Sequence, residues 1–391
     1  MRKVFFVVIT TLVCSFAFLL SSTVQGKDLT IGICSPLSGG GAPTGLATLR
    51  AFELFADDIN AQGGMRLGNE NYLIKLISYD NKYDAKEAVT IANRLIFSDK
   101  VKYIGTLGAT CVIAMNPLTT ENKVVNLAYT YGGKKATNPN FPYTFRAVME
   151  PTQGYQILLP WIVQKYGVKT IAITSTDDET GLIQAEDAEK MSNKLGLKIT
   201  DKSFAPRGTA DFTPMLTRLI AKNPDAIDFG SWAGSEGPLA CKQTKELGYK
   251  GLMIFSYAQS IPTFEKVAAG FMDGVLFYNI FAEDPTPLAT KVAQRYVEKY
   301  KEKFEAYIWR YTDGPYLLKK AMEVAGTVDT TAVMNAMPKV GINGIFGQTR
   351  IGGKSYYGID CQFLCPFPLA TYDGKQKKLV ELYRGTMPEG Y

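Results

Sequence analysis

Histidine is absent from this chain of 391 residues. It is the commonest general base and zinc ligand, and it alone switches charge near neutral pH. Its absence excludes Ser–His–Asp triads, Cys–His pairs and HExxH zinc sites, whereas catalysis by Lys, Tyr or paired carboxylates stays open. No loop clearly offers such a group, and three adjacent acids at Asp177–Glu179 are typical of a solvated loop tip. We therefore expect a binding protein without catalytic residues, metal or cofactor.

A strong excess of charge of one sign is also lacking. The sequence has 43 Lys and Arg against 37 Asp and Glu, a net charge of +6 that is spread along the chain. No basic run suits a phosphate backbone, which argues against nucleic acid as a partner. With 46% hydrophobic and 20% charged residues, the composition supports a sizeable core. At this length two domains are expected.

Long apolar runs are missing except at the N-terminus. Arg2 and Lys3 precede the apolar run Val4–Leu20, and small and polar residues follow up to Gly26. This order predicts a cleaved secretory signal over residues 1–26 and export of the mature chain. An uncleaved anchor is the alternative, although the run is just short of the roughly 18–20 residues that span a bilayer. Lipidation at Cys14 is a further alternative.

Cysteine pairing stays open in the sequence. Beyond Cys14 there are five cysteines, an odd number, so at least one is unpaired. Cys34 and Cys111 each follow a predicted strand and could meet at one sheet edge. The other three are Cys241, Cys361 and Cys365. For every possible pair, two buried free thiols are as compatible with the sequence as a disulfide.

Strand and helix patterns alternate along most of the chain. The first series begins with the strand Leu29–Cys34 and the helix Leu46–Ala61, and a second begins with the helix Gln153–Tyr166. The last third has helical patterns and one long strand pattern, Gln362–Tyr372, too little for a third domain. The fold class is therefore α/β, with two doubly wound parallel-sheet lobes that the last third completes. Ligands of such sheets bind beyond the carboxyl ends of the strands.

In the first lobe, the strand ending at Leu107 leads into a helix start. Free N–H groups at such a start attract anions, and Thr110 adds a hydroxyl, so Ala109 and Thr110 are candidates for holding a carboxylate. Thr110 could instead only cap its own helix. Thr130, after the fourth strand, is a second hydroxyl candidate.

In the second lobe, the loops after the strands are rich in hydroxyl groups and carry two aromatic residues. Aromatic rings with a few polar groups suit a small, partly apolar ligand, although either ring could simply pack in the core. The candidate ligand residues of this lobe are Thr180, Trp232, Ser235 and Tyr257.

Several short motifs in order resemble the branched-chain amino-acid class (leucine/isoleucine/valine-binding) of type I periplasmic binding proteins. Asp58–Gly64 ends the first helix, Tyr79–Asn81 follows the second strand, and Phe145-Arg146 precedes the expected first crossover. The remaining matching pieces are Ile31–Ile33, Pro36–Gly39, Ala88–Asn93, Ile104-Gly105, Val168–Ile173 and Asp211–Pro214. The likeness extends over nearly the whole chain after the signal.

The resemblance implies a monomeric periplasmic clamshell that captures a small solute and delivers it to the membrane permease of an ABC importer. It implies three hinge crossovers, near Glu150, Ile280 and Tyr357. Lobe 1 would comprise 27–149 plus 281–356, and lobe 2 150–280 plus 357–391. The ligand's carboxylate would lie against Ala109 and Thr110 and the loop Tyr129–Gly132. A ligand-sensing subunit of a signalling system with the same fold is the alternative role.

One departure from the family pattern concerns the ligand's ammonium group. Amino-acid binders of this family hold it with an acidic residue in the second lobe, and the matching position here is Tyr257. A buried ammonium without a counter-charge is costly. Either Glu236 or Asp178 substitutes, or the ligand is another small carboxylate, aromatic or aliphatic, rather than an α-amino acid.

Overall fold

Two β-sheets, each covered by helices, form the framework of the computed structural model, which describes residues 26–257, 259–278 and 285–387. The strands are β1 Lys27–Ser35, β2 Met65–Leu67, β3 Glu70–Asp80, β4 Tyr103–Leu107, β5 Val125–Tyr129, β6 Thr144–Arg146, β7 Thr170–Thr176, β8 Lys198–Ala205, β9 Ala226–Phe229, β10 Leu252–Phe255, β11 Leu276–Tyr278, β12 Gly341–Gly344, β13 Gly347–Gly352, β14 Gln362–Leu364, β15 Phe367–Asp373 and β16 Lys378–Gly385. The α-helices are α1 Ala42–Ala61, α2 Ala85–Asn93, α3 Ala109–Glu121, α4 Gly133–Ala136, α5 Pro151–Tyr166, α6 Glu179–Lys194, α7 Thr213–Ile220, α8 Glu236–Glu246, α9 Ile261–Ala268, α10 Pro287–Tyr300, α11 Asp313–Ala325, α12 Thr330–Ala336 and α13 Lys354–Tyr357.

The first lobe is built on a sheet of nine described strands, in the order β12-β13-β14-β6-β5-β4-β1-β3-β2. Its centre, from β3 through β1, β4 and β5 to β6, is parallel. Every residue of β4 and β5 is buried because helices cover both faces, as continuous apolar strands in parallel sheets require. The expected doubly wound first lobe is confirmed.

The second lobe has seven described strands, in the order β16-β15-β11-β10-β9-β7-β8. Strands β7 to β11 are parallel, whereas β15 and β16 join antiparallel at one edge.

None of the described helices is both long and apolar enough to cross a bilayer. The described residues also hold no group of three or more Cys, Asp or Glu suited to a metal ion.

The chain crosses from one sheet to the other at segments that lie outside the paired strands. The first passage lies between β6 and α5, the segment that contains Glu150. The crossover expected near Ile280 and residues 1–25 of the expected signal lie outside the described residues. The third passage differs from the expected Tyr357. Strand β14 still pairs with β6 and β13, and the chain leaves for β15 only around Pro366. Proline has no N–H for the ladder, so the single strand expected over Gln362–Tyr372 is divided in two.

A buried ion pair marks the first passage between the lobes. Arg146 and Glu150 are both fully buried and bonded to each other. Arg146 also donates to Gln362 Oε1 at 2.8 Å, and Glu150 accepts the Gly133 N–H at 2.7 Å and the Tyr357 hydroxyl. These bonds join the first passage to Tyr357 and Gln362, which precede the departure of the chain for β15, so they fix the two segments relative to each other.

Candidate functional site

A small cavity lies between the lobes, where the carboxyl ends of strands from both sheets meet. It encloses about 280 Å³ of empty space including open solvent, of which about 10 Å³ admits a water-sized molecule. Its first-lobe wall follows directly from β4 and β5, which end at Leu107 and Tyr129. Its second-lobe wall includes Thr180, in the first turn of α6, and Tyr257, which follows β10. The lining residues are Tyr83, Leu107, Tyr129, Thr130, Tyr131, Val148, Thr180, Tyr257, Arg310 and Tyr311. This is the edge at which open α/β sheets bind ligands.

Tyrosine rings form most of the cavity wall and join the lobes. The ring of Tyr131 meets that of Tyr257 edge-on, with 5.0 Å between centroids, and the hydroxyls of Tyr131 and Tyr278 are 3.1 Å apart. Tyr129 packs edge-on against Tyr311 in the same way, at 5.7 Å. Burial raises the pKa of Tyr129 and Tyr131 well above the usual value, so both hydroxyls stay protonated at neutral pH.

The guanidinium of Arg310 lies against this aromatic surface. It comes from the 3₁₀ helix Ala306–Tyr311 that precedes α11, and only 7% of the residue is exposed. Its Cζ lies 4.8 Å from the ring centroid of Tyr131 and 5.2 Å from that of Tyr257. Among the described residues its Nη1 has no hydrogen-bond partner. The part of the lining that the structure describes contains no Asp or Glu.

Direct contacts close the mouth of the cavity. Tyr83 of the first lobe places its hydroxyl 3.5 Å from Thr180 Oγ1 of the second. Arg207 of the second lobe lies over the Tyr83 ring and is paired with Asp178 of its own lobe. The structure is therefore a closed arrangement of the two lobes.

Four of the residues predicted from sequence line the cavity: Tyr129, Thr130, Thr180 and Tyr257. Ala109 and Thr110 open α3 beside it but are outside the lining. Gly108, whose φ of 113° favours glycine, is the N-cap, and no side chain caps this helix. Thr110 is therefore not the cap of its own helix.

The other predicted residues lie away from the cavity. Trp232 is fully buried, with its ring 4.8 Å from that of Phe212, in the core of the second lobe. Ser235 and Glu236 line a wider opening at the rim, and Glu236 accepts the Gly208 N–H. Asp178 accepts the Gly181 N–H as the N-cap of α6 besides pairing with Arg207. Both candidate acids are thus engaged within their own lobe.

A larger cavity, of about 1450 Å³ including open solvent, lies elsewhere on the second lobe. It is lined by residues that precede the strands, among them Val168, Asp225 and Gly251. These are the amino ends of β7, β9 and β10, the opposite edge from the one that binds ligands in such sheets. We place the site in the interlobe cavity despite its smaller size.

Six residues of the lining were not among the predicted site residues: Leu107, Val148, Tyr83, Tyr131, Arg310 and Tyr311. Tyr131 lay within a loop already singled out, and Tyr83 follows the motif Tyr79–Asn81 by two positions. For Arg310 the signal was a single cation between Trp309 and Tyr311, in the part of the chain without a strand–helix rhythm. Periodicity does not show that this segment returns to the first lobe and reaches the cleft.

Comparisons with known proteins agree with this architecture. Residues 28–372 match the profile of the family described as periplasmic binding protein. The chain is 28% identical over 228 residues to an amino acid binding protein of Pseudomonas aeruginosa, covering 58% of this chain and 60% of that relative. It is 24% identical over 330 residues to Leu/Ile/Val-binding protein homolog 3 of Brucella melitensis, covering 84% of this chain and 87% of the relative.

Solved structures show the same fold. One is the solute binding protein of an ABC transporter from Rhodopseudomonas palustris in complex with 3,4-dihydroxybenzoic acid. It superposes with a TM-score of 0.78 at 20% identity and covers 93% of this chain and 98% of its own.

Proposed function

Because the chain belongs to the branched-chain amino-acid class of type I periplasmic binding proteins, we propose that it captures a small carboxylate between its lobes for import. The observation that carries the proposal is the interlobe cavity, which both lobes line with loops at the carboxyl ends of their strands. Closure around the ligand would create the shape that the permease of an ABC importer reads.

The closed cavity is nearly filled by its own side chains. About 10 Å³ remains for a water-sized molecule, far below the roughly 300–1,000 Å³ of small-molecule sites. A ligand would therefore have to part the lobes or displace side chains of the wall to bind. Thr130 and Thr180, one from each lobe, offer hydroxyl groups that would orient it.

The polar groups of the cavity favour an acid that has no ammonium group. An α-amino acid would bury a positive charge, which is costly without a counter-charge. The candidates for that counter-charge, Asp178 and Glu236, are held by Arg207 and Gly208 of their own lobe. The Brucella relative is named for leucine, isoleucine and valine, whereas the Rhodopseudomonas structure holds an aromatic acid. We propose the second kind of ligand, an aromatic or aliphatic acid.

We also propose that the chain is exported. Residues 1–26 would direct the chain through the inner membrane and be cleaved, leaving a mature protein that works in the periplasm as a monomer. The remaining candidates, Ala109 and Thr110 at the start of α3 and Trp232 and Ser235 in the second lobe, would support the walls of the cleft.

A thermal-shift screen of the purified mature chain tests the proposal. The panel comprises leucine, isoleucine, valine, benzoate, 4-hydroxybenzoate and 3-methylbutanoate. A ligand at about 100 times its Kd stabilises the folded state by roughly 2.7 kcal/mol, so binding raises the Tm clearly.

The variant Thr180→Val should weaken the response by removing a cavity hydroxyl, and the matched Thr217→Val, on the exposed face of α7, should leave it unchanged. A folded protein that responds to no member of the panel would rule out this function.

A further inference from the structure

We propose that Arg310 is the group that holds the ligand's anion, with Nη1 donating to a carboxylate oxygen. The inference rests on the proposed function and names the substrate class more closely: a small carboxylate with a flat apolar body and no ammonium. The sequence predicted that the ligand's carboxylate binds at the start of α3, whereas here it binds the side chain of Arg310.

The first step is the burial of the charge. A guanidinium remains protonated at any physiological pH, yet Arg310 is 93% buried, since only 7% of it is exposed. A buried charge is costly unless it is paired and hydrogen-bonded. No described Asp or Glu forms an ion pair with Arg310. Its guanidinium has a hydrogen bond with the Tyr278 hydroxyl, whereas Nη1 donates to no described acceptor. A ligand anion would satisfy both requirements.

The second step is the direction in which the charge points. Arg310 lines the interlobe cavity, and its guanidinium lies between Tyr131 of the first lobe and Tyr257 of the second. Cation–π contacts lower the cost of burial but leave N–H groups free to donate. A carboxylate paired with Arg310 would therefore lie among groups from both lobes. It would bind the closed form more tightly than the open one, which is the condition for a ligand to drive closure.

The third step concerns selectivity. An arginine that forms no ion pair with a described carboxylate attracts anions and repels an ammonium. The rest of the wall consists mainly of tyrosine rings and aliphatic groups, which favour a flat apolar body over a polar one. Together they select a carboxylate over its neutral amide, and over an amino acid of equal size.

Calorimetry with matched ligands and variants tests the inference. The probes are leucine and three acids, benzoate, 4-hydroxybenzoate and 3-methylbutanoate, each acid beside its neutral amide. Wild type should bind at least one acid about 10- to 100-fold more tightly than the amide, the range of a charge-assisted hydrogen bond. Arg310→Gln should lose that preference, and Arg310→Lys should keep only part of it. Arg218→Gln, which removes an exposed arginine paired with Asp201, should behave as wild type.

The Tm of the ligand-free proteins distinguishes a role of Arg310 in ligand binding from a role in folding. Removing an uncompensated buried charge should leave the Tm of Arg310→Gln unchanged or raised, whereas a structural arginine would lower it. Equal affinity of wild type and Arg310→Gln for an acid would overturn the inference and leave the proposed function standing. Wild type binding an acid and its amide equally well, or preferring leucine to every acid, would overturn it even if Arg310→Gln failed to fold. Failure of wild type to bind any probe would instead count against the proposed function itself.

Discussion

The guanidinium of Arg207 in the second lobe lies over the ring of Tyr83 in the first, with 5.4 Å between Cζ and the ring centroid. Asp178 holds the guanidinium in place, and the Tyr83 hydroxyl approaches Thr180. Tyr83 is therefore in contact with two second-lobe residues, and both contacts would be lost if the lobes opened. They would then contribute to the closed form alone.

Replacing Tyr83 should weaken ligand binding without unfolding the protein. Tyr83→Leu removes a cation–π contact worth roughly 0.5–1 kcal/mol, so we expect affinity to fall about two- to fivefold. The matched control is Tyr79→Leu, since Arg94 lies over the Tyr79 ring at 4.3 Å within one lobe. Calorimetric titration with an acid that binds wild type makes the comparison. An equal loss of affinity in both variants would contradict a role in closure.

The buried pair Arg146–Glu150 should be far more sensitive than surface pairs. Arg146→Met leaves Glu150 buried without its cation, and we expect a loss of about 3–5 kcal/mol in the free energy of unfolding. Adding Glu150→Gln to Arg146→Met should recover part of that loss. Urea titration of the single and double variants measures both. Lys202→Met, which breaks the exposed pair with Glu189, should cost less than about 1 kcal/mol.

Stability should fall as the pH rises because of Asp313. This carboxyl is buried, which raises its pKa from 3.8 to about 7, although the Ile345 N–H and the Thr349 hydroxyl partly oppose the shift. The folded state then holds a proton that the unfolded chain releases near 3.8. The stabilisation is full below that pH and is lost as the pH approaches 7.

The variant Asp313→Asn isolates this contribution. Urea unfolding between pH 4 and 8 should show a wild-type slope of up to about 1.4 kcal/mol per pH unit from this group, and a flatter slope for the variant. Asp228, whose pKa burial raises to about 6, adds a slope of the same sign in both proteins. Identical slopes in the two proteins would show that Asp313 does not carry the effect.

The two-lobed fold follows from the sequence because its elements carry strong local patterns. Strand β4 is buried throughout and is followed by Gly108, and α1 repeats apolar positions at helical spacing up to Gly63. Such alternation is enough to predict parallel sheets with helices on both faces. The third passage was misplaced because Pro366 interrupts a segment whose apolar pattern is otherwise continuous.

The site was less accessible from sequence because it depends on contacts between distant segments. Thr130 directly follows β5, and Thr180 lies in the first turn of the helix after β7, so the general rule for open sheets found both. Arg310 reaches the cavity only through the return of the chain to the first lobe, which no local pattern encodes. Trp232 shows the opposite case, since a residue directly after a strand turns into the core instead of the cleft.

The sequence left open whether the cysteines form disulfides. All five described cysteines are free thiols, and Cys34 and Cys111 are both fully buried at neighbouring positions. Burial raises the pKa of each of these two thiols to about 12, so almost none is present as the reactive thiolate at neutral pH.

We therefore expect the mature protein to show the same Tm with and without a reductant. Titration with a thiol reagent should find five thiols after denaturation and very slow reaction before it. Cys34→Ala should behave like the wild type in reducing and non-reducing buffer alike, apart from a modest loss from the smaller side chain. A Tm that falls on reduction in wild type, but not in Cys34→Ala, would show that Cys34 and Cys111 are joined after all.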